Sequence, residues 1–199
     1  MFFGPLDLAA LAFFALAWIA YAVMIEWTPL GARGLNGRID QYREAWFRRT
    51  LAREMRMVDM QIMLALQSGT AFFASTSLIA IGGALGLLRT TEQIIELVAG
   101  LPFGAPSTRE QWEAKTIGLA VIFVYSFFKF AWSYRLFNYV AVMLGAMPPV
   151  AEKDTPEAEA YVIRTTRVFQ SAGRHFNRGQ RAFFFALGYL GWFIHPFLL

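Results

Sequence analysis

Four long apolar stretches dominate this sequence and constrain its fold more than any other feature. They cover about residues 5–27, 60–88, 116–147 and 182–199. A membrane-spanning helix needs about 20 mostly apolar residues, so each stretch is long enough to cross a bilayer. Hydrophobic residues make up 57% of the 199 residues, and charged residues only 16%. Because a soluble domain of this size cannot bury so much apolar surface, we predict an all-α membrane protein with four transmembrane helices.

The first apolar stretch has two interpretations, a retained helix or a cleaved signal peptide. No lysine or arginine precedes it, its apolar part is longer than a signal peptide requires, and no small-residue cleavage site follows. We therefore expect residues 5–27 to remain as a transmembrane helix.

The second apolar stretch is rich in small residues. Gly82 and Gly86 form a small-xxx-small pair, which lets the backbones of two helices approach closely. The pair serves either packing within the chain or contact between copies in a homo-oligomer.

Positive charge is concentrated in two of the three connections between the stretches. Residues 28–58 hold seven arginines and residues 148–181 hold six lysines and arginines, whereas residues 89–115 hold three. Cytoplasmic connections of membrane proteins carry an excess of these residues. We therefore predict that the first and third connections are cytoplasmic and that both termini lie on the outer side.

Two segments of the cytoplasmic connections have the apolar periodicity of amphipathic helices, residues 36–58 and 156–178. Thr155 followed by Pro156 is typical of a helix start. The arginines of these segments either bind anionic lipid or only follow from the positive-inside rule. We expect the lipid bilayer as a partner. We expect no nucleic acid, because the basic residues follow the membrane boundary and form no recognised binding module.

Two capping patterns predict helix starts on the outer side. Ser107 with Glu110 predicts a start near residue 108, and Thr90 with Gln93 predicts a short interfacial helix. As one helix, residues 116–147 measure about 48 Å, against about 30 Å for the hydrocarbon core. This helix must therefore tilt or project into the cytoplasm.

The third apolar stretch contains two cations, Lys129 and Arg135. A charge near the bilayer centre is costly, so it is usually buried against a partner or in a wet cavity. The predicted topology brings the inner ends of the spans together, where we expect a structural polar cluster. Its expected members are Arg135, Asp59, Glu26, Asn138 and Arg56. Within it we predict an ion pair from Arg135 to Asp59 or Glu26.

Lys129 is the strongest candidate for a functional side chain. It lies six residues, about 9 Å, outward of Arg135, where no acid of another span is expected. Gln67 is expected at that depth, and Tyr125 and Ser133 are one helical turn away. We predict that Lys129, Gln67, Ser133 and Tyr125 form a binding site. In the alternative, the lysine stem only extends to the membrane surface.

The sequence contains none of the familiar signatures of an active site. It has no phosphate loop, dinucleotide fingerprint or nucleophile elbow. Cysteine is absent, and the two histidines, His175 and His195, are expected on opposite sides of the membrane. We therefore expect a protein that is not an enzyme, with no metal and no cofactor.

Three segments of the chain resemble a known family. They are KFAWSYRLFNYVAVMLGAMPP (129–149), RGQRAFFFALGYLGWFIHPF (178–197) and the small-residue stretch after Asp59. Together they resemble DUF599, a family of membrane domains of unknown function found in bacteria and plants. The resemblance covers nearly the whole chain and implies a multi-pass membrane protein. For a bacterial protein, the orientation expected from the charged connections is an inner-membrane location with periplasmic termini. The resemblance supplies no substrate or activity. The residues that match the third-stretch motif are Lys129, Trp132, Ser133, Arg135, Asn138 and Tyr139.

These features lead to two functional hypotheses of different classes. In the first, the protein is a homo-oligomeric, channel- or transporter-like passage, or a binding site, for an ion or small anionic solute that Lys129 attracts. In the second, it is a non-catalytic structural or accessory subunit of a larger membrane complex, packed through the small-residue stretch. Only the first depends on the chemistry of Lys129.

Overall fold

The computed structural model describes residues 3–100 and 108–199, and this part of the chain is built of helices without strands. The chain forms seven α-helices and three short 3₁₀ turns within the described ranges. The α-helices are α1 Pro5–Trp27, α2 Pro29–Arg33, α3 Leu35–Leu51, α4 Met57–Leu87, α5 Thr91–Ala99, α6 Arg109–Gly145 and α7 Pro156–Tyr189. The 3₁₀ turns are Val150–Glu152, Leu190–Phe193 and Pro196–Leu198.

Three of the described helices, α1, α4 and α6, are long and apolar enough to cross a membrane. They expose large apolar side chains, with Phe13 67%, Ile79 75% and Val121 61% accessible. Water is an unfavourable surrounding for so many exposed apolar groups, whereas lipid is not. Length, composition and exposure thus agree with a membrane protein.

The fourth apolar stretch is not one continuous helix. Its first residues complete α7, which ends at Tyr189, and the rest of the chain forms 3₁₀ turns at Leu190–Phe193 and Pro196–Leu198. Helix α7 therefore joins the amphipathic segment predicted for residues 156–178 to the start of the stretch predicted for residues 182–199.

The amphipathic helix expected over residues 36–58 is shorter in the structure. Helix α3 ends at Leu51, and residues 53–56 are not helical before α4 begins at Met57. The Thr50 hydroxyl bonds to the Trp46 carbonyl 2.9 Å away, while the Arg53 amide returns to the Thr50 carbonyl at 3.2 Å. This turn redirects the chain into α4.

The helix starts follow local capping chemistry. At α7, the Thr155 hydroxyl accepts the Ala158 amide at 3.2 Å, as expected for a capping threonine. At α6, Thr108 and Gln111 bond reciprocally, from backbone amide to side chain, at 3.0 and 3.3 Å. This capping box lies one residue beyond the predicted one, whose Ser107 is outside the described residues. The short helix predicted after Thr90 is present as α5.

The chain divides into two compact units. The first unit comprises Met1–Val23, Ser75–Phe128 and Gly179–Leu199, and the second comprises Met24–Ala74 and Lys129–Arg178. The first has an aromatic core that includes Phe14, Trp112 and Trp192. The second has its own core, which includes Phe47 and Phe137.

Charge is distributed very unequally between the units. The second unit holds 14 of the 18 lysines and arginines but only 9 of the 14 acids, so its formal net charge is +5 and that of the first is −1. The second unit is therefore the favourable location for an anionic ligand.

In each unit, a glycine on α6 or α7 leaves room for the side chain of a residue on another helix. A Cβ on Gly118 would lie 2.3 Å from the Tyr189 hydroxyl, within the first unit. In the second unit, a Cβ on Gly173 would lie 2.4 Å from the Arg43 guanidinium. That guanidinium also stacks over the Phe169 ring, 5.2 Å from its centroid.

Candidate functional site

The register between α6 and α7 in the second unit is set by a buried serine. The Ser133 hydroxyl donates a 2.8 Å hydrogen bond to the Ala172 carbonyl. The two helices are joined by a short connection and run in opposite directions. Lys129 lies one turn before Ser133, and His175 lies almost one turn after Ala172, so this register brings Lys129 level with His175.

Two aromatic contacts made by residues just after Lys129 agree with this register. The Phe130 and Phe176 ring centroids are 5.6 Å apart, and those of Trp132 and His175 are 6.3 Å apart. Phe130 is fully buried. Lys129 therefore faces the part of α7 that carries His175.

Four cationic or titratable side chains converge here and define the basic cluster: Lys129, Arg174, His175 and Arg178. Burial lowers the pKa of His175, and the charges of Lys129, Arg178 and Arg174 lower it further, while Glu26 opposes them. The buried Nδ1 of His175 has no hydrogen-bond partner among the described residues. The cluster thus combines positive charge with an unused polar atom.

Glu26, in the last turn of α1, supplies the negative charge beside the basic cluster. It accepts two hydrogen bonds from Arg178, at 3.0 Å from Nε and 2.5 Å from Nη2. A bidentate pair of this kind fixes the plane of the guanidinium. Arg178 is therefore oriented beside His175.

Each of the three residues predicted beside Lys129 makes a contact of its own in the structure. Gln67 donates to Asn138 at 2.8 Å, and Ser133 donates to Ala172. The Tyr125 ring belongs to the first unit and meets the Trp18 ring edge-on, at 6.1 Å. Gln67 and Ser133 thus each have a hydrogen-bond partner, on α6 and α7 respectively, that the sequence did not predict.

The offset of Gln67 has a direct physical cause at the start of α4. Arg56 donates to the carbonyls of Met147 and Pro148, at 2.9 and 2.6 Å. It thereby satisfies backbone acceptors just beyond the end of α6 and fixes the position of α4 along that helix. Gln67 is consequently level with Asn138. This position is about two and a half turns inward of the predicted one, at Lys129.

The predicted ion pair of Arg135 with Asp59 or Glu26 is wrong. Arg135 is exposed, donates to the Tyr139 hydroxyl at 2.6 Å and lies 5.6 Å from the Trp132 ring centroid. Arg135 is two residues from the buried Ser133, about 200° around α6, so it points away from α7.

Asp59 instead stabilises the junction between α3 and α4. Its carboxylate is fully buried, and its Oδ1 accepts hydrogen bonds from Trp46 at 2.5 Å, Thr50 at 3.0 Å and Arg53 at 3.0 Å. The buried Oδ2 has no hydrogen-bond partner among residues 3–100 and 108–199. Arg53 takes the ionic role that the sequence had led us to expect of Arg135.

A buried ionic group in the first unit was not predicted as a site. The Lys115 ammonium lies 2.9 Å from the Trp192 carbonyl, 3.7 Å from Asp7 Oδ1 and 4.8 Å from the Trp192 ring centroid. The Trp192 indole also donates to Asp7 at 2.8 Å. This triad connects α1, α6 and the C-terminal turns. Its signal in the sequence was Asp7, an acid near the start of an otherwise apolar stretch.

Two further observations concern possible ligand sites outside the basic cluster. Across the described ranges, no three His, Asp or Glu side chains converge as they would to hold a metal ion. A polar surface pocket in the first unit is lined mainly by residues 88–93 and Arg109, and Arg109 pairs with Glu92 there at 2.9 Å.

Comparison with known proteins identifies a family but no characterised relative. No curated protein and no solved structure matches the chain significantly. One family model, described as "Protein of unknown function, DUF599", matches residues 9–199, nearly the whole chain. The chain therefore belongs to the DUF599 family of proteins of unknown function.

Proposed function

We propose that this membrane protein binds a small inorganic or organic anion at the basic cluster and serves as a binding site or passage for it. The observation that carries the proposal is the convergence of Lys129 from α6 with His175 and Arg178 from α7. The proposed role is non-catalytic.

The charge of the basic cluster favours an anion over a cation or a neutral solute. Lys129, Arg174 and Arg178 contribute three positive charges beside His175, and Glu26 contributes one negative charge. The local charge is therefore about +2 with His175 neutral, in the unit that is itself net positive. Lysine and arginine side chains hold carboxylate, phosphate and sulfate oxygens through charged hydrogen bonds.

The proposed membrane arrangement follows from the charge of the connections. The arginine-rich first and third connections lie in the cytoplasm, and four spans place both termini on the outer side. In a bacterium this corresponds to the inner membrane with periplasmic termini. Anionic lipid headgroups are further proposed partners of the exposed arginines on the cytoplasmic segments.

Anion binding by the purified protein tests the proposal. Sulfate is the probe, and its dissociation constant is measured calorimetrically in detergent, with flux followed in liposomes. Lys129→Met should abolish both. The matched control is Lys153→Met, because Lys153 is an exposed lysine outside the basic cluster. Equal sulfate binding by wild type and Lys129→Met would contradict the proposal.

A second candidate function is that of a structural or accessory subunit, and α4 favours it. Gly82, Gly83 and Gly86 are exposed, and a Cβ built on any of them would have no neighbour within 4 Å. Such a face lets the backbone of another membrane helix approach closely, from a second copy or a different protein.

Chemical crosslinking in native membranes distinguishes this second candidate. Gly83→Leu should remove a crosslinked partner, whereas Gly188→Leu, at an equally open glycine of α7, should retain it. Identical crosslinking patterns in the two variants would exclude the α4 face as a docking surface.

A further inference from the structure

We propose that the basic cluster takes up its anion together with a proton, which His175 accepts. This inference rests on the proposed anion-binding function and adds a coupled second ligand to the same site. The proton comes from solvent and adds to the ring nitrogen of the neutral imidazole that lacks one, with no other covalent change.

The charges around His175 make its protonation depend on whether an anion is bound. The charged groups that act on the imidazole are Lys129 from α6, Arg174 and Arg178 from α7, and Glu26 from α1. Trp132 lies against the ring and adds no charge. Protonation of His175 would therefore raise the local net charge from about +2 to about +3. This is unfavourable when no anion is bound.

The unused Nδ1 provides the second part of the argument. It is buried and has no hydrogen-bond partner among the described residues. In the imidazolium form both ring nitrogens donate, so Nδ1–H would require an acceptor. An anion held by Lys129 supplies that acceptor and also reduces the net positive charge of the cluster.

These two effects link the anion to the proton. Burial and the three cations lower the pKa of His175, so the imidazole is neutral near pH 7 in the empty site. A bound anion opposes those cations and raises the pKa again. Because the coupling between two ligands is reciprocal, protonation of His175 must then tighten anion binding by the same factor.

The linkage predicts both the direction and the limit of the pH effect. Between the pKa of the empty site and that of the occupied site, anion affinity increases as pH falls, by at most about tenfold per pH unit for one proton. Above the pKa of the occupied site, affinity is independent of pH.

The test uses sulfate, because its charge is constant between pH 5.5 and pH 8, the range in which a histidine changes its protonation. Calorimetry in two buffers of different ionisation enthalpy gives the number of protons taken up with each sulfate. Wild type should bind sulfate more tightly at lower pH and take up a measurable fraction of a proton, up to one.

Two histidine variants make the test specific. His175→Gln keeps a neutral polar side chain, and it should bind sulfate with an affinity independent of pH and with no proton uptake. His195→Gln is the matched control, because His195 lies in the first unit near the C-terminus. It should retain the pH dependence of the wild type.

The outcomes separate this inference from the proposed function. The wild type could bind sulfate with an affinity independent of pH and with no release or uptake of protons. That result would overturn proton coupling and leave the anion site intact. Loss of pH dependence in His195→Gln but not in His175→Gln would also overturn it. A wild type that binds no sulfate at any pH would contradict the proposed function and proton coupling together.

Discussion

The Ser133 hydroxyl donates to the Ala172 carbonyl over 2.8 Å, and this bond determines which residues of α6 and α7 face each other in the second unit. Both groups are buried, so the bond satisfies a polar pair that would otherwise be costly. Its consequence is that Lys129 lies opposite His175. The candidate site is thus a product of helix register rather than of residues that are close in sequence.

Asp59 should be essential for the stability of the second unit. Asp59→Ala leaves the Trp46 and Thr50 donors without their acceptor and should cost about 3 kcal/mol of unfolding free energy. Denaturant unfolding in detergent micelles measures this change. The matched control, Asp154→Ala at an exposed position, should stay within about 0.5 kcal/mol of wild type. Equal stability of the two variants would show that the Asp59 cluster is not structural.

The contributions of Lys115 and Asp7 to the stability of the first unit should depend on each other. Lys115→Met or Asp7→Asn alone leaves a partly or fully buried group without its ionic partner and should cost roughly 3 kcal/mol. The double variant should recover much of that loss, because no uncompensated charge remains. Thermal unfolding of the four proteins in a double-mutant cycle measures the coupling. Strictly additive effects would mean that the two side chains do not interact.

The ionic partner of Glu26 should be Arg178 and not Arg135. A double-mutant cycle of Glu26→Gln with Arg178→Gln should give a coupling of about 1 kcal/mol, as expected for a partly exposed pair. The same cycle with Arg135→Gln should give none, because Arg135 contacts Tyr139 and Trp132 instead. Coupling of Glu26 to Arg135 would restore the pair predicted from the sequence.

His175 should make the protein sensitive to acid. Its pKa is lowered in the folded state, so the unfolded chain binds the proton at higher pH. The associated stability is complete above the unfolded pKa, about 6.5, and is lost as pH falls through the folded pKa. In buffer without sulfate, the melting temperature should therefore fall less between pH 7.5 and pH 5 in His175→Gln than in wild type or His195→Gln. Identical pH profiles would show that His175 is not protonated on unfolding.

The sequence alone predicted the helical class, because hydropathy and helix caps act locally. It predicted four membrane-spanning helices, and three described helices are long and apolar enough to cross a membrane. Thr155 caps α7 as expected, and the apolar stretches at α1, α4 and α6 are helices. The family resemblance was also confirmed over residues 9–199.

The contacts between helices were predicted poorly, because they depend on register along the helix axes. The bonds from Arg56 to the carbonyls after α6 place α4 about two and a half turns from its predicted register, and sequence spacing contains no sign of them. The register of α6 and α7 brings Lys129 level with His175, which had been assigned only to the cytoplasmic segment. An acid can also have several arginines within reach, and only the structure pairs Glu26 with Arg178.

The position of a bound anion tests the central claim most directly. Selenate has the shape and charge of sulfate, and its selenium atom is located by anomalous X-ray scattering from crystals grown with it. We predict selenate within about 3 Å of Lys129 Nζ and the His175 imidazole, as charged hydrogen bonds require. It should be absent in Lys129→Met and present in Lys153→Met. An ordered basic cluster without selenate at saturating concentration, or selenate bound only at exposed arginines, would contradict the proposed anion site.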